Sequence, residues 1–169
     1  MADRGMDVEP ILIEATEKWK DTGATPTYDS DLTLVVEADG GWRHRPDDAY
    51  GYVDTNGDTM NMGGAQGPYR FVDGNTHFPY HAEGAKKAQL IGKWGADGQI
   101  FPVGKHIGFR GDLMKPEFKG KTLWLGINDY SPADNSGHLE VRIWLANRHR
   151  GETTVVWNGL ERRWEQVTL

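Results

Sequence analysis

The chain has 169 residues, which suffices for one domain with a sizeable apolar core and makes neither a disulfide nor a structural metal obligatory for folding. Its net charge of -6 disfavours nucleic acid and anionic membranes as partners, because both attract a positive surface. There is no cysteine, which excludes a disulfide framework, a thiolate zinc site and a cysteine nucleophile.

The first residues do not have the pattern of a secretory signal, because residues 1–17 lack a basic stretch followed by an apolar one. No later segment is apolar over the length of a membrane span. We therefore expect a soluble protein, either cytoplasmic, exported by a route that the sequence does not encode, or a module of a longer chain. Residues 10–20 are compatible with a helix, but Trp19 followed by Asp-Thr-Gly could equally end a strand.

The other predicted elements are strands, as 22 glycines, eight prolines and only short apolar runs suggest. The β-branched run 32–36 lies between a polar turn and a pair of glycines, which is typical of a buried strand. Residues 88–92 and 123–127 are two more candidates. Residues 139–146 place apolar side chains at every second position, the period of a half-buried strand. These elements predict an all-β domain.

The end of the chain predicts a β-hairpin. Residues 153–157 and 160–167 are strand-like and flank Asn158-Gly159, a pair that tolerates the positive φ angles of a type I′ turn. We therefore expect a hairpin with a two-residue turn.

Residues 43–83 have no steady apolar period, and loops of this length are usually functional or mobile. Asp54 to Asp58 places oxygen side chains as an EF-hand would, but Thr59 and Ala65 stand where its glycine and glutamate belong, so an acidic surface turn is the better interpretation. The histidines form no metal-ligand motif, and a serine nucleophile elbow, a P-loop and a dinucleotide fingerprint are absent. A carboxylate pair for glycoside hydrolysis stays open.

The polar loop after the strand 123–127 is the main candidate for a site. Asn128-Asp129 opens this loop, and Asp134-Asn135 closes it just before the alternating strand. Calcium takes six to eight oxygen ligands, which two carboxylates, an amide oxygen and loop carbonyls can supply. The alternative is that Asp and Asn occur here because they form turns by bonding their own backbone.

Asn-Asp, a short loop and Asp-Asn-Ser-Gly before an alternating strand resemble the calcium loop of the LecA (PA-IL) family of calcium-dependent galactose-binding lectins. Three other segments follow in the family's order: the strand ending at Gly41-Trp42, the strand 90–95, and the hairpin 97–103 with Phe109-Arg110. The resemblance spans residues 11–147. It implies one β-sandwich domain of jelly-roll type over residues 1–169, with residues 148–169 as an additional C-terminal hairpin.

The resemblance also implies a set of ligands. Calcium would be bound by the side chains of Asp129, Asp134 and Asn135 and by the backbone carbonyls of Arg45 and Ser131. Two vicinal hydroxyls of a sugar would complete the metal shell, and galactosides are the favoured ligands. The metal-binding side chains would also contact the sugar, together with four further residues: Tyr130, Gln66, His77 and Trp42.

The sequence departs from the family pattern in three places. The loop between the two aspartates is two residues shorter, so that the loop carbonyl could come from Tyr130 or Pro132. Asp134 replaces an asparagine, which adds negative charge at the metal and removes an amide donor. The family's His-Pro-Asp-Gln-Gly sugar contact has no clean counterpart, and Gln66-Gly67 and His77 are rival candidates.

Two of the tryptophans, Trp124 and Trp144, lie in strand patterns and are expected to pack in the fold, whereas Trp42 adjoins the proposed metal loop. We expect calcium-dependent carbohydrate binding without enzymatic activity, by a monomer or a homo-oligomer. One alternative is a structural or assembly domain in which calcium only pins the loops. Another is a glycoside hydrolase with an acid pair among residues 43–83.

Overall fold

The computed structural model describes residues 8–14, 16–43, 74, 79–82, 85, 89–128 and 136–166, except for the side chains of residues 41–43 and 136. The strands in these ranges are β1 (Ile11–Glu14), β2 (Lys20–Asp21), β3 (Leu32–Arg43), β4 (Leu90–Trp94), β5 (Phe101–Pro102), β6 (His106–Arg110), β7 (Leu123–Ile127), β8 (Ser136–Asn147), β9 (Thr153–Asn158) and β10 (Arg163–Gln166). Two short 3₁₀ helices, Gly111–Leu113 and Pro116–Phe118, join β6 to β7. The prediction of an all-β fold is confirmed.

The larger sheet is antiparallel and is built around β8. Its strand order is β10-β9-β8-β3-β6, and β3 pairs with β8 along the whole length of both strands. On the other side of β8, β1 pairs with residues 138–141 and β9 with residues 144–146. Two strands thus share one edge of β8.

The smaller sheet is also antiparallel, with the order β2-β7-β4-β5. Leu90 at the start of β4 is paired with Ile127 at the end of β7, and Trp94 is paired with Leu123. The strand β7 has the bounds predicted from the sequence, because its apolar run is cut off sharply by polar residues on both sides.

The two sheets pack face to face on one apolar core, which makes the fold a β-sandwich. The core side chains alternate along their strands, so that every second residue of β8 between Leu139 and Leu145 faces the smaller sheet. The fully buried side chains from both sheets include Ile13, Leu34, Leu90, Leu123, Leu125, Ile127, Leu139 and Ile143.

The second half of β8 is buried on both faces rather than one. Trp144 and Ala146 belong to a smaller apolar cluster on the outer face of the larger sheet, with Val35 and Val156 and with Val8 packed against it. Trp144 is therefore a packing residue, as predicted, and is 7% exposed.

The segment 10–20 contains strand rather than helix. Ile11 and Ile13 alternate with exposed residues in β1 and reach the core, while Lys20 and Asp21 pair with β7. Buried residues at a spacing of two have the period of a strand, whereas the buried face of a helix would need a spacing of three or four residues. None of the helices in the part of the chain that the structure describes has the length and hydropathy needed to cross a membrane.

The C-terminal hairpin forms as predicted, but the predicted two-residue turn is wrong. Asn158 is paired with Arg163, which leaves a four-residue connection in which Arg162 has the positive φ, 53°. The Asn158 side chain accepts the backbone N–H groups of Leu160 and Glu161, both at 3.0 Å. Gly159 is needed for a close approach, since a Cβ there would lie 2.8 Å from Ile11.

Candidate functional site

The structure describes the strands that flank the predicted calcium loop. Most of the predicted site residues lie outside the described residues: Asp129, Tyr130, Ser131, Asp134, Asn135, Arg45, Gln66 and His77. Trp42 is part of β3 by its backbone, and its side chain is outside the description. The ligand roles of all these residues remain predictions.

The flanking strands belong to different sheets. β7, in the smaller sheet, ends at Ile127, and β8, in the larger sheet, begins at Ser136. The chain from Asn128 to Ser136 therefore connects the two sheets at one end of the sandwich. An ion bound by this connection would link both sheets.

The end of β3 lies beside the start of β8. Trp42 is paired with Gly137, and Arg43 is paired with Ser136. Arg45 follows this pair by two residues in the chain, and Asn135 precedes it by one. The two chain segments that carry these predicted metal ligands therefore leave the sheet at the same paired position, although they are far apart in sequence.

Asn128 is the described residue at the mouth of the predicted loop, and it is fully buried. Its backbone N–H donates to the Gln89 carbonyl at 2.9 Å, which continues the ladder between β4 and β7 by one residue. Its side-chain oxygen accepts the Tyr80 N–H, and its side-chain NH₂ donates to the Tyr80 carbonyl, each at 2.9 Å. The amide thereby binds both backbone groups of Tyr80.

The segment bound by Asn128 is itself held by short contacts. The Gly74 N–H donates to the His81 carbonyl at 2.7 Å, and the Ala85 N–H donates to the Ala82 carbonyl at 2.9 Å. Ala85 is fully buried, and Tyr80 packs against it. The sequence does not predict this arrangement, because Asn128 has the pattern of a loop residue and its partner, Tyr80, is 48 residues away in the chain. The weak signal available was an uncharged amide directly after a buried strand.

The donor set of the predicted loop suits calcium on chemical grounds. Calcium prefers carboxylate, amide and carbonyl oxygens, and the two aspartates would cancel the charge of the ion. Within the ranges given above for the description, no three His, Asp or Glu residues are grouped so that they could hold a metal ion.

Trp124 packs differently from the core tryptophans. It is half-buried on the outer face of the smaller sheet, where the Lys93 ammonium lies 5.6 Å from the centre of its ring and 4.1 Å from that of Trp19. Burial lowers the pKa of Lys93 below its usual range, and the charge of Asp97 opposes this shift. Trp124 thus belongs to neither of the apolar clusters described above for the two sheets, and its packing role stays a prediction.

No protein-family model and no curated protein matches the chain. A solved structure described as "EclA N-terminal domain; PllA-like lectin" is similar to it at 16% sequence identity, with a TM-score of 0.46, over 80% of this chain and 94% of that chain. A likeness of this size carries no information about a ligand.

Proposed function

We propose that the chain is a calcium-dependent carbohydrate-binding protein without enzymatic activity. The side chains of Asp129, Asp134 and Asn135 would hold the ion, with carbonyls from Arg45 and the loop. Galactosides are the favoured ligands, because the predicted calcium loop resembles that of the galactose-binding LecA-type lectins.

The pairing of β3 with β8 is the observation that carries this proposal. A calcium site of the LecA type needs a carbonyl from the segment after Gly41-Trp42 and side chains from the loop before β8. The register pairs Arg43 with Ser136 and so brings the chain ends of these two segments together.

Each residue has a separate task in this proposal. The carboxylates of Asp129 and Asp134 would neutralise the ion, and the Asn135 amide oxygen would fix its position without further charge. Bound calcium supplies coordination positions that two neighbouring sugar hydroxyls can fill. Asp134 would accept a hydrogen bond from a hydroxyl, where an asparagine could also donate one, so we expect only a modest preference for galactosides.

A glycan array probed with calcium and then with a chelator tests the proposal. Binding to glycans with vicinal hydroxyls that is lost in the chelator is the expected result. Calcium binding without any glycan binding would instead indicate a structural role for the ion. Release of product from a panel of glycosides would reveal a hydrolase and would contradict the proposal.

A further inference from the structure

The strand β6 forms an open edge of the larger sheet. One side of it pairs with β3, and no strand that the structure describes pairs with its other side. His106, Gly108 and Arg110 are all exposed. An edge strand presents a row of unpaired N–H and C=O groups, which makes it a template for pairing with a further strand.

The pairing of β6 with β3 determines which of its backbone groups point outward. The Ala38 N–H donates to the Lys105 carbonyl at 2.9 Å, so residue 105 directs its backbone groups toward β3. In an antiparallel pair this direction alternates along the strand, and residues 107 and 109 therefore also point toward β3. The N–H and carbonyl groups that point away from the sheet are those of His106, Gly108 and Arg110.

Three other edge strands are protected in ways that β6 is not. β2 and β5 are only two residues long, and β5 ends in Pro102, which has no N–H. β10 carries the charged side chains of Arg163 and Glu165. By contrast, β6 has five residues in continuous register, without a proline, a bulge or a charged residue between its two ends. Short length, charge, proline and bulges are the features that keep sheet edges from pairing.

An apolar groove runs along the inner face of β6. Ile107 and Phe109 line it and are only half-buried. The Phe109 ring packs edge-on against Trp94 and Phe101, with ring centres 5.3 Å apart in both pairs. Leu113, which is 68% exposed, also lines this groove. The open edge is thus accompanied by apolar surface that a second strand would cover.

We propose that β6 pairs antiparallel with β6 of a second copy of this chain, about a two-fold axis at Gly108. In this register Gly108 exchanges two backbone hydrogen bonds with the partner's Gly108. Ile107 lies opposite the partner's Phe109 in a pair without hydrogen bonds, where side chains are closest. A β-branched residue opposite an aromatic one is a favourable cross-strand pair. The strand is therefore complementary to itself, which identifies a second copy as the partner.

The charges at the ends of β6 permit this pairing. Arg110 would lie opposite the partner's His106. The Arg110 guanidinium is already bound by the Asp112 carboxylate at 2.7 and 3.0 Å, which compensates its charge. The two copies would therefore meet without uncompensated like charges. The pairing does not involve the predicted calcium loop, so that it stands independently of the proposed function.

Sedimentation equilibrium of the wild-type protein and of Gly108→Lys tests the inference. We expect a wild-type dimer with a dissociation constant in the micromolar range, and a rise of at least about tenfold in Gly108→Lys, because like charges directly opposite each other are unfavourable. Gly108→Ala is the matched control: it adds the same Cβ, 3.1 Å from the Thr33 methyl group, without a charge, and should remain a dimer. A wild-type protein that stays monomeric at millimolar concentration would overturn the inference.

Two further variants test which edge pairs and in which register. His106→Glu places a carboxylate opposite the partner's Arg110 and should lower the dissociation constant of the dimer about threefold. Leu12→Lys adds a charge to an exposed position of another edge strand, β1, and should leave the dimer unchanged. A dimer that is lost in Leu12→Lys and kept in Gly108→Lys would overturn the inference, and so would weaker pairing of His106→Glu.

Amide hydrogen exchange of the wild-type protein at low and high protein concentration tests the pairing without a substitution. The Gly108 N–H should exchange more slowly at high concentration, because it is bonded only in the dimer. The Ile107 N–H points toward β3 in the monomer and should change less. A proven dimer in which the exchange of Gly108 does not depend on concentration would show that the copies meet elsewhere and would overturn the inference.

Discussion

The buried polar residue Thr22 connects the two sheets through hydrogen bonds. Thr22 is 2% exposed, and its hydroxyl donates to the Leu123 carbonyl at 2.7 Å. The Thr22 carbonyl in turn accepts the indole N–H of Trp157 at 2.8 Å. One residue next to β2 thus connects the smaller sheet to the C-terminal hairpin of the larger sheet.

Removal of the indole donor should destabilise the fold. Trp157→Phe leaves the buried Thr22 carbonyl without this partner, which costs about 1–3 kcal/mol of unfolding free energy. Urea denaturation followed by fluorescence measures the change. Trp164→Phe is the control, because its ring packs on Trp157 at 5.1 Å and its N–H donates to no residue that the structure describes. A smaller loss for Trp157→Phe than for Trp164→Phe would contradict the assigned role.

The proposed metal ligands are tested most directly one at a time. Asp129→Ala and Asn135→Ala should each weaken calcium binding by at least about tenfold and leave the fold intact, because both residues belong to the chain segment between the end of β7 and the start of β8. Isothermal titration with calcium and circular dichroism measure the two properties. Asp39→Ala removes an exposed carboxylate of β3 and serves as the control. Wild-type calcium affinity in both loop variants would show that the site is misplaced.

At the scale of strands, the elements that could be predicted are those whose apolar residues and flanking polar residues are neighbours in the sequence. The β-branched run 32–36 lies within β3, and the apolar run of β7 has the bounds expected from its flanking residues. β1 was ambiguous, because its four residues include three apolar ones in a row and so show no alternation, although Leu12 is exposed in the structure. The connection of the hairpin was wrongly predicted, because the local Asn-Gly pattern contains neither the pairing of Asn158 with Arg163 nor the close approach of residue 159 to Ile11.

The candidate site was predictable only in part for the same reason. The Asp and Asn residues around the loop could be found from their order along the chain. The register that pairs Arg43 with Ser136 and the contact of Asn128 with Tyr80 join segments that no local pattern relates.

The C-terminal hairpin contributes side chains to the core, although the resemblance implied that it is an additional extension. Trp157 belongs to the main apolar cluster, and Trp164 packs against that cluster. Deletion of residues 153–169 should therefore prevent cooperative folding, because it exposes the core and removes the pairing of β9 with β8. Thermal unfolding followed by circular dichroism checks this, and Leu160→Ser at the 83% exposed tip of the hairpin is a neutral control. A truncated protein that melts like the full chain would contradict the assignment.

At the scale of the whole molecule, calcium should act as a stabilising ligand. The net charge of -6 favours a cation, and two carboxylates on one short loop repel each other without one. Binding to the folded state alone stabilises it by about 2.7 kcal/mol at a calcium concentration 100 times the dissociation constant. We expect a higher melting temperature in calcium than in chelator, and a smaller shift with magnesium, which requires a stricter geometry. Equal melting temperatures in calcium and chelator would contradict the metal site.

The central claim is that this sandwich presents calcium to a sugar. Isothermal titration of galactose, mannose, fucose and glucose, in calcium and then in chelator, tests it most directly. We predict binding heat with at least one hexose in calcium, a modest preference for galactose, and no heat in chelator, because the sugar hydroxyls would be ligands of the ion. Proven calcium binding with no heat from any of the four sugars, or equal heats in chelator, would contradict the claim.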